Sequence, residues 1–163
     1  MRSILFVCKG NVFRSMTAEK CFRKLVGQGA RVGSAGTYAR KTQRIHPVVL
    51  DELRALGVPA AKHVPRRVSR ALIARYDHII AMSTDHQQYL WNVYKLWCPL
   101  FHEICEHRSR AMLDLPDLMN PTPERVEHFL RKQVRHIHSC IPRIASHFSL
   151  QQHLKAKGKV KLR

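Results

Sequence analysis

Residues 3 to 15, Ser-Ile-Leu-Phe-Val-Cys-Lys-Gly-Asn-Val-Phe-Arg-Ser, limit what this chain can fold into more than any other stretch. Ile4 to Val7 are continuously apolar and β-branched at both ends, the pattern of a strand buried on both faces. Such a strand belongs in a parallel sheet with helices packed on either side. The run delivers Cys8 into a short loop in which Asn11 tolerates left-handed backbone. Beyond Arg14 and Ser15, apolar residues at 18, 21, 22, 25 and 26 keep a helical period until Gly27 and Gly29. One thiol is thereby set among loop amides able to form an anion-binding nest, the positive end of a helix and the planar fork of an arginine. Nucleophilic phosphoryl transfer requires these parts.

The rest of the chain continues the alternation of strands and helices. Ala30 to Val32 predicts a second short strand that enters a loop at Gly33-Ser34-Ala35-Gly36-Thr37. Pro47 to Leu56 predicts a helix stopped by Gly57 and Pro59, and residues 68 to 75 a shorter one. Tyr76 to Met82 reads as a central strand, with Ser83-Thr84-Asp85 capping a helix through Val93. Lys95 to Phe101 reads as a fourth strand, and the spacing of Trp91, Tyr94 and Trp97 suits core packing. After a proline-marked loop, Thr122-Pro123-Glu124 opens a long helix. Its apolar positions 126, 129, 130, 134, 137, 141, 144 and 145 share one face, and Pro142 predicts a kink. The expected fold is therefore α/β: a four-stranded parallel sheet flanked by helices, with a phosphate-binding loop after the first strand. Residues 1–148 form the domain. Residues 149–163, with five Lys/Arg and no acid, predict a basic, disordered tail.

A formal net charge of +18 predicts attraction to polyanions, whether phosphorylated partners, nucleic acid or an anionic membrane. The apolar runs are too short for a transmembrane segment or a secretory signal, so a cytoplasmic address is expected. The five cysteines form no small-scaffold disulfide framework, and a reducing compartment suits a thiolate at Cys8. Cys98, His102, Cys105 and His107 match no usual zinc spacing, and His136 and His138 point to different faces of a helix. No metal or other cofactor is expected.

Cys8 to Ser15 resembles the phosphate loop of the low-molecular-weight protein tyrosine phosphatases, and Ser34-Ala35-Gly36-Thr37 resembles their second loop. Leu50 to Val58, Tyr76 to His86 and Leu115-Pro116-Asp117 follow in the family's order, so the likeness covers nearly residues 2 to 148. The resemblance implies cofactor-free phosphomonoester hydrolysis, by default of protein phosphotyrosine, through a cysteinyl-phosphate. In that scheme Cys8 is the nucleophile, and Arg14 with Lys9, Gly10, Asn11, Val12 and Phe13 holds the phosphoryl oxygens. Ser15 hydrogen-bonds the thiolate. Asp117 protonates the leaving oxygen and then activates water, with Asp114 as its rival. Tyr38, Arg40 and Leu118 wall the pocket.

Departures from the family pattern bear on the substrate. Leu118-Met119-Asn120 replaces the usual proline and aromatics after the acid, Arg40 and Lys41 follow Tyr38, and His46-Pro47 stands for Asp-Pro. A phosphoarginine side chain or a small anionic phosphate ester stays open beside phosphotyrosine. Phe13 occupies the place of a second loop cysteine, so Cys8 lacks a nearby disulfide partner against oxidation. Arsenate reductases of this fold relay a disulfide through Cys-x6-Cys after the third strand. Cys98 and Cys105 have that spacing but lie further along, and Ser83 and Leu90 occupy the matching positions. A second class of reading is a basic nucleic-acid or anionic-membrane binding module on the same fold. It draws on Arg125, Arg131, Lys132, Arg135, Arg143 and the tail. No recognised reading motif accompanies these cations.

Overall fold

A computed structural model describes residues 3–106, 112 and 121–158, with side chains described as far as residue 148. The elements are β1 (Ile4–Cys8), α1 (Arg14–Val26), β2 (Val32–Gly36), α2 (Pro47–Ala55), α3 (Arg70–Ile73), β3 (His78–Ala81), α4 (Thr84–Tyr94), α5 (Phe101–Glu106) and α6 (Pro123–Gly158). The sheet has the order β2-β1-β3 and every pairing is parallel, with Cys8 opposite Gly36 and Val7 opposite Ala81. The first apolar run is thus the central strand, and all five of its residues are buried.

Successive side chains of β1 point to opposite faces and divide the core in two. Ile4, Phe6 and Cys8 face a layer that includes Phe22 of α1, Leu53 of α2, Phe101 of α5 and the apolar face of α6. Leu5 and Val7 face a smaller cluster with Leu72 of α3, Ile79 of β3 and Leu90 of α4. Along α6, Phe129, Leu130, Val134, Ile137, Ile141 and Ile144 are buried, as the helical period predicts, Val126 and Ala145 are partly buried, and Phe148 is buried as well. Pro142 lies inside this continuous helix. The helix takes in residues up to Gly158, part of the stretch expected as tail; residues 159–163 lie outside the described residues. Among the described residues no helix is long and apolar enough to cross a membrane.

Three expectations are corrected. The predicted loop from Gly33 to Gly36 belongs to β2, because glycine here answers to close contact rather than to a turn. A Cβ on Gly33 would lie 2.2 Å from the Tyr76 hydroxyl, and one on Gly36 would lie 2.4 Å from the Lys9 carbonyl oxygen. The fourth strand does not form, and the described sheet has three strands. Lys95 turns the chain through left-handed backbone at φ 56°, and the Ala81 amide donates to the Pro99 carbonyl at 3.0 Å. Pro99 has no N–H to return, and the Leu100 amide is taken by the Glu103 carboxylate at 2.7 Å, so pairing stops at a single bridge. Trp91 and Trp97, expected in the core, pack edge to face on the surface, with Trp97 65% exposed.

Helix α2 is anchored to α6 by one buried carboxylate. Glu52 accepts from Arg131 Nη1 at 3.0 Å and from Arg135 Nε at 2.5 Å. The Arg135 hydrogen bond, against the opposing effect of burial and with help from Arg131, holds the Glu52 carboxyl below its ordinary range. A carboxylate with a depressed folded-state pKa contributes stability that is complete above the unfolded value and lost as pH falls through the folded one. Urea unfolding of the wild type and Glu52→Gln is therefore expected to differ most near neutral pH, by about 1–2 kcal/mol. The two curves should converge in acid.

Candidate active site

The loop from Lys9 to Phe13 joins the carboxyl end of the central strand to the start of α1. The Cys8 sulfur sits 3.0 Å from the Ser15 hydroxyl oxygen and accepts the Asn11 amide at 3.3 Å. Arg14 is buried as the first residue of α1, and its Nη1 donates to the Met112 carbonyl at 3.3 Å. Cys8, Lys9, Gly10, Val12, Phe13, Arg14, Tyr38 and Arg40, with Thr42 and Gln43, line a cleft of about 490 Å³. All of the described pocket residues expected from the sequence thus meet at one place, except Asn11 and Ser15, which lie just beneath it. Asp117 and Leu118, together with Asp114, lie outside the described residues.

Asn11 holds the loop in shape. Its backbone is left-handed, with φ 57°. Its side-chain Nδ2 donates to Ser34 Oγ at 2.8 Å and Ser15 Oγ at 3.0 Å, while its Oδ1 accepts the Arg66 amide at 3.0 Å. The Ser34 hydroxyl donates onward to the buried Glu19 carboxylate. The Asn11 carbonyl faces His63 Nε2 at 2.7 Å, so the imidazole donates there. Burial lowers the His63 pKa, against the backbone hydrogen bond to Asn11, and favours the neutral ring. The second loop closes the other side: Thr37 N donates to the Cys8 carbonyl at 2.8 Å and Tyr38 N to the Lys9 carbonyl at 2.9 Å.

At the mouth, Tyr38 is 56% exposed and is steadied by an edge-to-face contact with Tyr89 at 5.4 Å and by the Arg67 guanidinium. The Arg40 amide and carbonyl are both bonded to Gln43, which fixes the turn beside the cleft. Asp85 is a described carboxylate on which Arg14 acts electrostatically. Burial pushes its carboxyl up, but the Ser83 hydroxyl and His86, with a smaller effect of Arg14, hold it below the ordinary value. It therefore stays ionised at neutral pH and has no proton to give. A second cleft of about 520 Å³, lined by Lys20, Leu50, Arg54 and residues 57–63, offers no thiol, hydroxyl or carboxylate.

The model of the family described as low molecular weight phosphotyrosine protein phosphatase matches residues 3–156. The chain belongs to this family. It is 33% identical over 84 residues to the low molecular weight protein-tyrosine-phosphatase Etp of Escherichia coli K12, a match covering 52% of this chain and 56% of that protein. It is 32% identical over 88 residues to the protein-arginine-phosphatase of Bacillus subtilis, covering 52% of this chain and 58% of that one. The chain thus spans little more than half the length of the curated relatives it matches. The solved structure of the YwlE arginine phosphatase from Geobacillus stearothermophilus superposes with a TM-score of 0.79 at 22% identity, covering 93% of this chain and 96% of that one, and shares the fold.

At the start of α2, His46 Nδ1 accepts the Val48 amide at 3.3 Å, the role an aspartate often takes at a helix N-cap. His63, Arg66 and Glu19 brace the loop without having stood out in the sequence. His63 and Arg66 reach Asn11 from 52 and 55 residues away, so no local spacing announces them. Gly36 supplies a direct test of this bracing, since a Cβ there would crowd the Lys9 carbonyl and, at 3.0 Å, the Asn11 amide. Gly36→Ala is expected to cost about 1–3 kcal/mol in urea unfolding and to disorder the Cys8 loop. Gly29→Ala, where a Cβ meets nothing within 4 Å, should leave stability close to wild type.

Proposed function

We propose that the protein is a cysteine-dependent phosphatase that hydrolyses phosphomonoesters, foremost protein phosphotyrosine, without a cofactor. The observation that carries the reading is the Cys8 sulfur, set between the Asn11 amide and the Ser15 hydroxyl in a cleft lined by Arg14. Amides and a guanidinium around a sulfur nucleophile suit an attack on a phosphoryl group whose oxygens carry negative charge. In the first step the Cys8 thiolate forms the S–P bond while the bond from phosphorus to the leaving oxygen breaks, and Asp117 gives that oxygen its proton. In the second step Asp117 takes a proton from water, water oxygen bonds to phosphorus, and the S–P bond breaks to free phosphate and the thiolate. Arg14 and the amides of the Lys9 to Phe13 loop hold the non-reacting oxygens throughout.

Tyr38 supports an aromatic substrate, because its exposed ring stands at the mouth of the cleft and is available for edge or stacking contact. Phosphoarginine is a second reading, supported by the B. subtilis relative's name, while Arg40, a cation at the same mouth, suits a small anionic phosphate ester. The excess of positive charge would steer the enzyme towards acidic phosphorylated partners. An arsenate reductase would need relay cysteines after β3, and α4 carries none.

Aryl phosphate hydrolysis without added metal is the deciding measurement. The wild type should be active, Cys8→Ser inactive, and Asp117→Asn slower by roughly 10²–10⁴-fold. An unchanged rate in Asp117→Asn would move the acid role to Asp114. Wild-type inactivity, with tight and salt-sensitive binding of nucleic acid, would replace the enzyme by a binding module. Rates on phosphotyrosine and phosphoarginine peptides, measured side by side, choose the substrate. Mass spectrometry after graded peroxide should find Cys8 as sulfinic acid, since Phe13 stands where a capping cysteine would be. A Cys8 disulfide that restores full activity on reduction would contradict this.

A further inference from the structure

The seam between α5 and α6 gathers metal-ligating side chains that the phosphatase reading leaves unused. His102, Cys105 and Glu106 lie on α5, and His136 and Cys140 lie one turn apart on α6. The His102 and His136 Nε2 atoms are 2.9 Å apart. His136 Nε2 also lies 3.3 Å from Glu106 Oε1 and 3.8 Å from Cys140 Sγ. The donor atoms of His102, Glu106 and His136 lie within 4.8 Å of one another, and so do those of Cys105, Glu106 and Cys140. A tetrahedral ion with bonds of ~2.0–2.3 Å to nitrogen, oxygen and sulfur holds its donor atoms roughly 3.3–3.8 Å apart. The contacts around His136 fall close to that spacing.

Burial adds a second reason. Cys140, Cys105 and His102 are 1%, 3% and 4% exposed, so an ion held here would be largely shielded from bulk water. The His136 and Glu106 side chains remain partly exposed, at 31% and 19%, which leaves an approach from solvent.

We propose that this seam is a binding site for a thiophilic divalent cation of the zinc class, ligated by His102, Glu106, His136 and Cys140. Binding displaces protons from the Cys140 sulfur and the imidazoles, so affinity falls in acid. The ion cross-links α5 to α6 and stabilises the fold in proportion to its free concentration. The site is separate from the Cys8 cleft and does not depend on the reaction proposed there. No spacing within residues 98–107 reveals it, because half of its ligands come from a helix thirty residues further on.

The test uses the full chain without a polyhistidine tag, reduced and stripped of metal, titrated with cobalt(II) and then with zinc(II). The expected result is one equivalent of cobalt with the intense visible spectrum of a four-coordinate ion and a thiolate-to-metal charge-transfer band, displaced by zinc. Cys8→Ser should keep this spectrum and Cys140→Ser should lose the charge-transfer band. His136→Gln and Glu106→Gln, at the partly exposed mouth, should bind at least about ten-fold more weakly. These two variants keep the test decisive should Cys140→Ser fail to fold, as judged by circular dichroism. Zinc should raise the thermal midpoint of the wild type and not that of His136→Gln. Absence of stoichiometric binding, a six-coordinate cobalt spectrum, or a signal lost in Cys8→Ser and kept in Cys140→Ser would overturn the proposal. A Cys105–Cys140 disulfide persisting under reductant would overturn it too.

Discussion

The hydrogen bonds of Asn11 are the interaction on which the site depends. One side chain joins three separate parts of the chain, reaching Ser15 at the head of α1, Ser34 in β2 and the Arg66 amide beyond α2. Its amide points at the Cys8 sulfur because its backbone is held at a positive φ. A buried polar network of this kind is stabilising only when every member is satisfied, and a single orphaned group costs about 1–3 kcal/mol. The Glu19 carboxylate behind Ser34 and the His63 ring on the Asn11 carbonyl complete that satisfaction. Any substitution in this set acts on the cleft even where it touches no substrate.

Much of this was legible from local pattern. The continuous apolar run, the Cys8 to Ser15 loop, the start of α1 and the apolar stripe of α6 are all written in spacings shorter than about two helical turns. The second strand was not, because its glycines look like a turn until Tyr76, Arg66 and Lys9 are seen pressing against them. The absent fourth strand follows from Pro99 and Glu103, which withdraw the hydrogen-bonding groups that an apolar sequence implied. Contacts such as His63 to Asn11 depend on the assembled sheet and leave no trace in neighbouring residues. The acid expected at Asp117 rests on family pattern, since it lies outside the described residues.

The sparse acids of this basic chain are placed with economy. Among the described acids, Glu19 and Glu52 are buried, each bonded to an arginine. Glu19 supports the loop network and Glu52 ties α2 to α6, so both neutralise charge where repulsion would otherwise open the fold. The surface is left strongly positive. Such a charge acts at long range on anionic molecules, a matter of rate and salt dependence rather than of fold.

The central position of β1 carries a consequence for how the protein is made. The strand that bears Cys8 precedes both of its sheet neighbours along the chain, and β2 and β3 end only at Gly36 and Ala81. Until β3 has left the ribosome, the Cys8 sulfur lacks the complete sheet around it, and non-local parallel pairing forms slowly. A stalled or truncated product would therefore display a naked thiol on an apolar strand, prone to oxidation and to pairing with other chains. Synthesis is thus the stage at which the Cys8 thiol is least protected by the fold.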